Sequence, residues 1–418
     1  MAFASRDYAQ AVFPYSKEVK HIASTWHTDT EYVNQFLAPT MLLRRCKNRL
    51  PSNFCVDDST IQEIIGQRRP LHEEIKEGKI YLADYSFLTP LTQVSGRGFY
   101  YCAPIAAFHV NDDGILVPLA VQLGQRPGEV WTPKDPEDEW QLAKAYVKCS
   151  DQQADLIHHS LLARIVEAVA NATLRKMPSF HPVHTLLMPY FRPILAMNMS
   201  SREVLTLVEK ITGINRRQYS KIGEHLYRDF HIDQQFVPNC FEAVGTHDPK
   251  KLPHYPYRQK ALRAWDNMSA YVTDFILAHY TNNDDVMNDE EVQSWVREIY
   301  RDALPQYDAE GYRYSGKIRT VNQLCTLITW MVFEASFRLP ALTTNIWERA
   351  SVIANAPLVM KRTPPLMKGL VQTMTLMTSF PGRLEAPSIL ALCTLFQEFA
   401  SKFRAFESEG TVNNNKDG

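Results

Sequence analysis

Gln153, Asp155, His158, His159, His181 and His184 are among the side chains with chemistry to offer between Ser150 and His184, in SDQQADLIHHSLLARIVEAVANATLRKMPSFHPVH. Imidazoles and carboxylates are common ligands of first-row transition metals, and the stretch has the rhythm of a metal-binding helix. The spacing argues otherwise. Adjacent residues of a helix point about 100° apart, so His158 and His159 do not easily bind one ion; a satisfied or exposed helix pair accounts for them. A second constellation, Glu334 and Arg338, stands four residues apart in VFEASFRLPALTTN. That spacing suits an ordinary helix ion pair. It also presents a guanidinium able to polarise a carbonyl or hold a carboxylate.

Helices must position these groups. From Trp140 onward, WQLAKAYVKCSDQQADLIHHSLLARIVEAVANATLRK repeats apolar residues at three- and four-residue spacing over many turns. Further helices are expected near 201–212, 258–281, 288–303, 317–338 and 384–407, separated by loops such as LPHYPY (252–257) and KRTPPLMKG (361–369). Strand signals fall within 79–125, in KIYLADYSFL, GFYYCAPIAAFHV and ILVPLAVQLG; NDDG (Asn111–Gly114) between the last two predicts a hairpin. Residues 1–70 read as helix and loop. The expectation is a mainly α chain with a small antiparallel β subregion near its N-terminal third: one helical domain over 1–408, strand-rich over 79–125, and a disordered polar tail over 409–418.

Bulk properties exclude several classes. With 45% hydrophobic and 22% charged residues the chain is of ordinary globular type. A net charge of −1, with basic residues no more clustered than Arg44-Arg45 or Arg68-Arg69, leaves no stripe to neutralise phosphates, so nucleic acid is not an expected partner. Seven scattered cysteines without a CxxC pair point to a reducing compartment, and hence a cytoplasmic location, and away from a zinc ribbon. The N-terminal residues make a poor signal peptide. No stretch reaches the roughly 18 consecutive apolar residues of a spanning helix, so no integral membrane segment is expected.

The order of segments resembles the catalytic domain of the lipoxygenases from about Trp26 to Phe406. TWHTDTEYVNQFLAP is similar to the family's entry helix, LHEEIKEGKIYLADYSFL to its aspartate-aromatic stretch, and WQLAKAYVKCSDQQ to the opening of its central helix. ATLRKMPSFHPVHTLLMPYFRPILAMN carries the family's ATxR, HPxxxLLxP and terminal Asn in order, and places His181 in the structural HP element. LPHYPYRQKALRAWDNMSAYV, NDEEVQSWVREI and IANAPLVMKRTPP continue the match. The resemblance implies the lipoxygenase helical fold without the lipid-binding β-sandwich that usually precedes it.

It also implies a non-haem iron held by two histidines five apart on the central helix, a third on a later helix, often an Asn or His four residues on, and a C-terminal isoleucine carboxylate. Five-residue spacing needs a widened π-type turn, which is costly and found mostly at functional sites. Aligned back from ATLRK, the first two positions hold Gln153 and His158; aligned forward from SD, they hold Asp155 and Ser160. The third histidine position holds Leu339, beside Arg338, and the position four later holds Thr343; Pro340 is expected to disrupt that turn. The terminal isoleucine segment is expected to be missing. At most one histidine of the iron site remains, so no metal and no cofactor are expected.

Three readings follow. The first is a metal-free enzyme that binds an apolar polyene, fatty acid or terpenoid and catalyses a non-redox cyclisation or isomerisation, Diels–Alder-type cycloaddition included, in secondary metabolism. Its candidate catalytic groups are Arg338, Glu334, His158 and Asp155, with Gln153, His159, Leu339 and Thr343 contacting substrate. The second is a non-catalytic lipid- or terpenoid-binding protein. The third is an iron dioxygenase with substitute ligands such as His158, His159 and Asp155.

Overall fold

The computed structural model describes residues 16–65, 70–93, 98–199, 201–228, 232–303 and 316–413. Two short helices lead, α1 (Lys17–Thr25) and α2 (Asp29–Asn34), each started by a hydroxyl cap: Ser16 accepts from the Val19 N–H and Thr28 from the Glu31 N–H. A five-stranded antiparallel sheet follows in sequential order, β1 (Arg44–Arg45), β2 (Ile80–Asp84), β3 (Ile105–Val110), β4 (Leu116–Gln122) and β5 (Val130–Trp131). The expected hairpin joins β3 to β4. Asn111 Oδ1 accepts from the N–H groups of Asp113 and Ile115, and Gly114 turns the chain at φ +75°, where an added Cβ would also meet Pro253 at 3.0 Å. Pro118 sits inside β4, where it lacks a ladder donor. The β3 partners slip by one residue opposite it, between Ala107 and Phe108, and this bulge accommodates the proline.

The rest is helical. The central helix α3 (Glu137–Lys176) runs 40 residues, about 60 Å. Glu137, Asp138 and Glu139 open it and Arg175 and Lys176 close it, as the helix dipole favours. Its buried residues run without a break from Leu142 to Ile157, polar ones included, so it has no solvent face there. Each buried polar side chain therefore needs a partner inside the protein. Around it lie α4 (Pro182–Met199), α5 (Ser201–Thr212), α6 (Arg216–Arg228), α7 (Val237–Val244), α8 (Pro256–Leu277), α9 (Glu290–Glu298), α10 (Val321–Phe333), α11 (Leu339–Ala350), α12 (Thr373–Ser379) and α13 (Ala386–Asn413). One apolar cluster joins Phe108 of the sheet, Tyr146 and Ile165 of α3, and Leu327 and Leu339 of α10 and α11.

One expectation changes, and the wide turns take their own places. The helix α3 is α-helical throughout. The wide turns fall elsewhere, at Ile299–Ala303 and at Glu334–Arg338 between α10 and α11. Pro340 does not break the latter helix: Leu339 N–H reaches back to Glu334 O in π fashion, and Pro340 occupies the first turn of α11, where no N–H is required. The helix α13 runs to Asn413, and 414–418 lie outside the described residues.

Candidate functional site

The first half of α3 builds a dense polar network. Lys144 Nζ donates to Asp29 Oδ1 at 2.7 Å and Lys148 Nζ to Trp26 O at 2.7 Å and Asn355 Oδ1 at 3.1 Å. Asp151 accepts from the Tyr85 hydroxyl at 2.7 Å, and Asp155 from the Thr40 hydroxyl at 2.7 Å. Arg349 of α11 spans both carboxylates, its Nη1 3.3 Å from Asp151 and 3.5 Å from Asp155, while Nη2 donates to Gln35 O at 2.6 Å. Gln153 donates to Leu358 O at 2.6 Å and accepts from the Tyr219 hydroxyl at 2.8 Å. Burial, reinforced by Asp155, pushes the Asp151 carboxyl up to about 7; burial likewise brings the Lys148 ammonium down to about 7.

Further along α3 the wall opens. A cavity of about 270 Å³ lies among α3, α7, α11, the π turn and the segment around Thr40–Arg44. Met41, Leu161, Leu162, Ile165 and Leu342 give it an apolar lining; His158, Arg338, Arg44 and Gln235 supply polar groups, with the exposed Arg44 at the mouth. His158 Nε2 is shut off from solvent and has no hydrogen-bond partner. Burial, with Arg338 and Arg44 nearby, lowers the imidazole to about 4, so the ring is neutral at pH 7. Arg338 is held from three sides: Nη1 is 3.2 Å from Glu334 Oε1 and donates to Gln235 Oε1 at 3.3 Å, and Nε donates to Pro39 O at 3.3 Å. Trp330 Nε1 donates to the same Glu334 oxygen at 3.1 Å, while Glu334 Oε2 has no partner. Burial raises the Glu334 carboxyl against the pull of Arg338.

His159 points elsewhere, as adjacent helix positions require. Its Nε2 lies 3.0 Å from Thr343 Oγ1, and that hydroxyl donates to Leu339 O at 2.7 Å. Thr343 therefore accepts from His159 Nε2–H, which fixes the tautomer. Phe396 of α13 lies edge-on to the ring at 5.1 Å. His181 accepts from Val183 N–H at Nδ1 and meets Asp289 through Nε2 at 3.2 Å, a structural role.

Of the candidate residues, the structure brings His158 and Arg338 to one cavity, with Glu334 directly behind Arg338. Asp155, Gln153, His159, Leu339 and Thr343 lie away from its lining, each engaged or enclosed by protein. Arg44, Gln235 and Arg349 carry no local signal, because each reaches its place from a distant segment. One clue does exist: Asp151 and Asp155 are like charges four apart, a repulsive pair on a helix that calls for a cation.

The iron that the resemblance implies does not fit these residues. Leu339 offers only carbon, Thr343 and Gln153 have their polar atoms engaged, and Asp155 is paired with Arg349. Of Gln153, Asp155, His158, Leu339 and Thr343, His158 alone keeps an unpartnered donor atom, and among the described residues no three His, Cys, Asp or Glu side chains converge as a metal site.

The sequence profile of the lipoxygenase family matches residues 3–401. The arachidonate 12-lipoxygenase, 12R-type, of Rattus norvegicus is 30% identical over 403 residues, 93% of this chain and 57% of that protein. The hydroperoxide isomerase ALOXE3 of Rattus norvegicus is 31% identical over 372 residues, 84% of this chain and 50% of that protein. A lipoxygenase solved in complex with arachidonate shares the fold at a TM-score of 0.81 with 23% identity, covering 99% of this chain and 70% of that one. The helical fold, its small antiparallel sheet and the profile match define the class: this chain belongs to the lipoxygenase family. It spans about half the length of the curated relatives it matches.

Proposed function

We propose that this protein binds an apolar, polyunsaturated acyl or terpenoid chain in the His158–Arg338 cavity and rearranges it without net oxidation, by cyclisation or isomerisation. The observation that carries the reading is the pairing of an unpartnered, neutral imidazole with a fixed guanidinium on a mostly apolar wall. Family membership supports an apolar substrate, since a structural relative binds arachidonate. A relative whose name is hydroperoxide isomerase supports rearrangement as a chemistry within the family's reach.

The electrostatics narrow the roles. An imidazole lowered to about 4 is a weak base at pH 7, where effective proton removal calls for a pKa near the working pH. His158 therefore hydrogen-bonds and orients the substrate and does not strip a proton. Arg338 stays charged and is held rigidly by Glu334, Gln235 and Pro39, so it polarises a carbonyl or steadies a carboxylate without reorganising. At about 270 Å³ the space falls just below the usual size of ligand pockets, roughly 300 Å³ and up. A space of that size takes the reactive segment of a chain and not the whole of it, and a cyclisation requires that reacting ends be held together there. Asp155 is outside this set because Thr40 and Arg349 engage it.

The test is turnover of a panel of polyenes and fatty-acid hydroperoxides, with dioxygen uptake and iron content followed in parallel. A product with the mass of its substrate, formed without dioxygen uptake and abolished in His158→Phe, is expected. Stoichiometric iron with dioxygen consumption overturns the reading in favour of a dioxygenase with substitute ligands. Tight binding without turnover across the panel overturns it in favour of a binding protein.

A further inference from the structure

Thirteen large hydrophobic side chains are exposed among the described residues, and six of them, Leu366, Met367, Leu370, Met374, Met377 and Leu384, fall within nineteen residues of chain. The other seven are scattered from Tyr100 to Met287. Leu366 and Leu384 are 85% and 91% exposed, so they project from the surface instead of lining a groove. The stretch 361–384 contains four basic residues, Lys361, Arg362, Lys368 and Arg383, and no acidic one, although the chain as a whole has a net charge of only −1.

The segment is a built structure. Lys368 Nζ donates to Asp135 at 2.8 Å, the Gly369 N–H to Glu139 at 2.6 Å and the Thr373 hydroxyl to Asp138 at 2.5 Å. Lys361 Nζ donates to Glu385 at 2.7 Å. Leu376 and Phe380 pack on the core, so α12 turns Met374 and Met377 outward. Polar groups thus tie the segment inward to the acidic start of α3 while apolar side chains point out, the reverse of an ordinary surface loop. Arg362 and Arg383 are exposed, and neither pairs with a described carboxylate.

We infer that residues 361–384 form a membrane-docking surface that inserts its leucines and methionines into the face of an anionic phospholipid bilayer, with Arg362 and Arg383 meeting the head groups. Protruding apolar side chains bracketed in the chain by the exposed Arg362 and Arg383 match an interface that is greasy beneath and negatively charged above. Methionine adapts readily to such irregular apolar surroundings. No helix among the described residues is long and apolar enough to cross a membrane; the attachment is peripheral. The inference stands independently of the chemistry proposed for the cavity.

Cosedimentation with sucrose-loaded vesicles tests it, using phosphatidylcholine alone and phosphatidylcholine containing phosphatidylserine. Binding to the mixed vesicles is expected to exceed binding to phosphatidylcholine by about tenfold and to weaken with salt. The exposed triple variant Leu366→Ser/Leu370→Ser/Leu384→Ser is expected to lose about tenfold or more of that binding with its melting temperature unchanged. Arg362→Gln/Arg383→Gln is expected to lose severalfold and most of the salt dependence. Failure of the parent protein to bind vesicles, or equal binding by the triple variant, overturns the inference. So does a dimer in solution that the triple variant dissociates, which would assign the patch to a second copy of the chain.

Discussion

Two charged constellations border the same central helix about one turn apart, and the fold treats them oppositely. Around Asp151 and Asp155, each carboxylate has a hydroxyl donor and a share of Arg349, and the guanidinium is tied in turn to Gln35 O. Around His158 and Arg338, the imidazole Nε2 and one Glu334 oxygen are buried without a partner, and His158 and Arg338 line a cavity. Buried carboxylates with their donors in place hold the structure together, whereas an unpartnered group on a residue that lines a cavity is a candidate to meet a ligand. Residue type alone does not separate the two sets, because both contain a carboxylate and an arginine.

That contrast breaks or sharpens under substitution. Arg349→Met should be the most damaging, costing about 3–5 kcal/mol because two buried carboxylates lose their cation; a urea melt showing under 1 kcal/mol would erase the distinction. Arg338→Met should cost less, about 2 kcal/mol, through the single stranded Glu334. Adding Glu334→Gln should restore most of that loss but leave turnover of any identified substrate depressed, as measured by melts and rates on the same preparations.

The two imidazoles provide a pH test. His158 and His159 are lowered by burial to about 4, below the roughly 6.5 of an unfolded histidine. The unfolded chain binds more protons between these values, so their contribution is complete above about 6.5 and is lost as pH falls toward 4, by up to about 1.4 kcal/mol per pH unit each. Asp151, raised to about 7, acts in the opposite sense over the same window. The quantity to measure is therefore the difference between parent and His159→Gln, which should shrink as pH falls from 6.5 to 4; a constant difference would contradict the assignment.

Thr343→Val removes the acceptor for His159 Nε2–H and should cost about 1–2 kcal/mol by chemical denaturation. His158→Gln should move stability least, within about 0.5 kcal/mol, since Nε2 has no partner to lose, while altering turnover or ligand binding. A large stability loss there would place His158 in the structural set.

Much of the architecture is legible in the sequence. Periodicity located α3 and α5 and the region of α8 to α10, because amphipathic spacing is a local property of the chain, and Asn111–Gly114 announced its hairpin by turn chemistry. The Glu334–Arg338 pair was likewise foreseeable from its four-residue spacing. The divergence of His158 and His159 followed from helix geometry, but which of them would face a cavity did not. Asp155 illustrates the limit: its type and position suggested chemistry, while its partners Thr40 and Arg349 are 115 and 194 residues away in sequence.

The sequence by itself determined the helical class, the family likeness and the mismatch between the iron-ligand positions and the side chains standing there, since these depend on residue identity and local order. The tertiary structure decided which polar groups are closed off and which stay open. It also decided that wide turns lie at Ile299–Ala303 and Glu334–Arg338 and that 361–384 turns six of its apolar side chains outward. Those outcomes depend on packing between segments far apart in the chain, which local spacing does not encode.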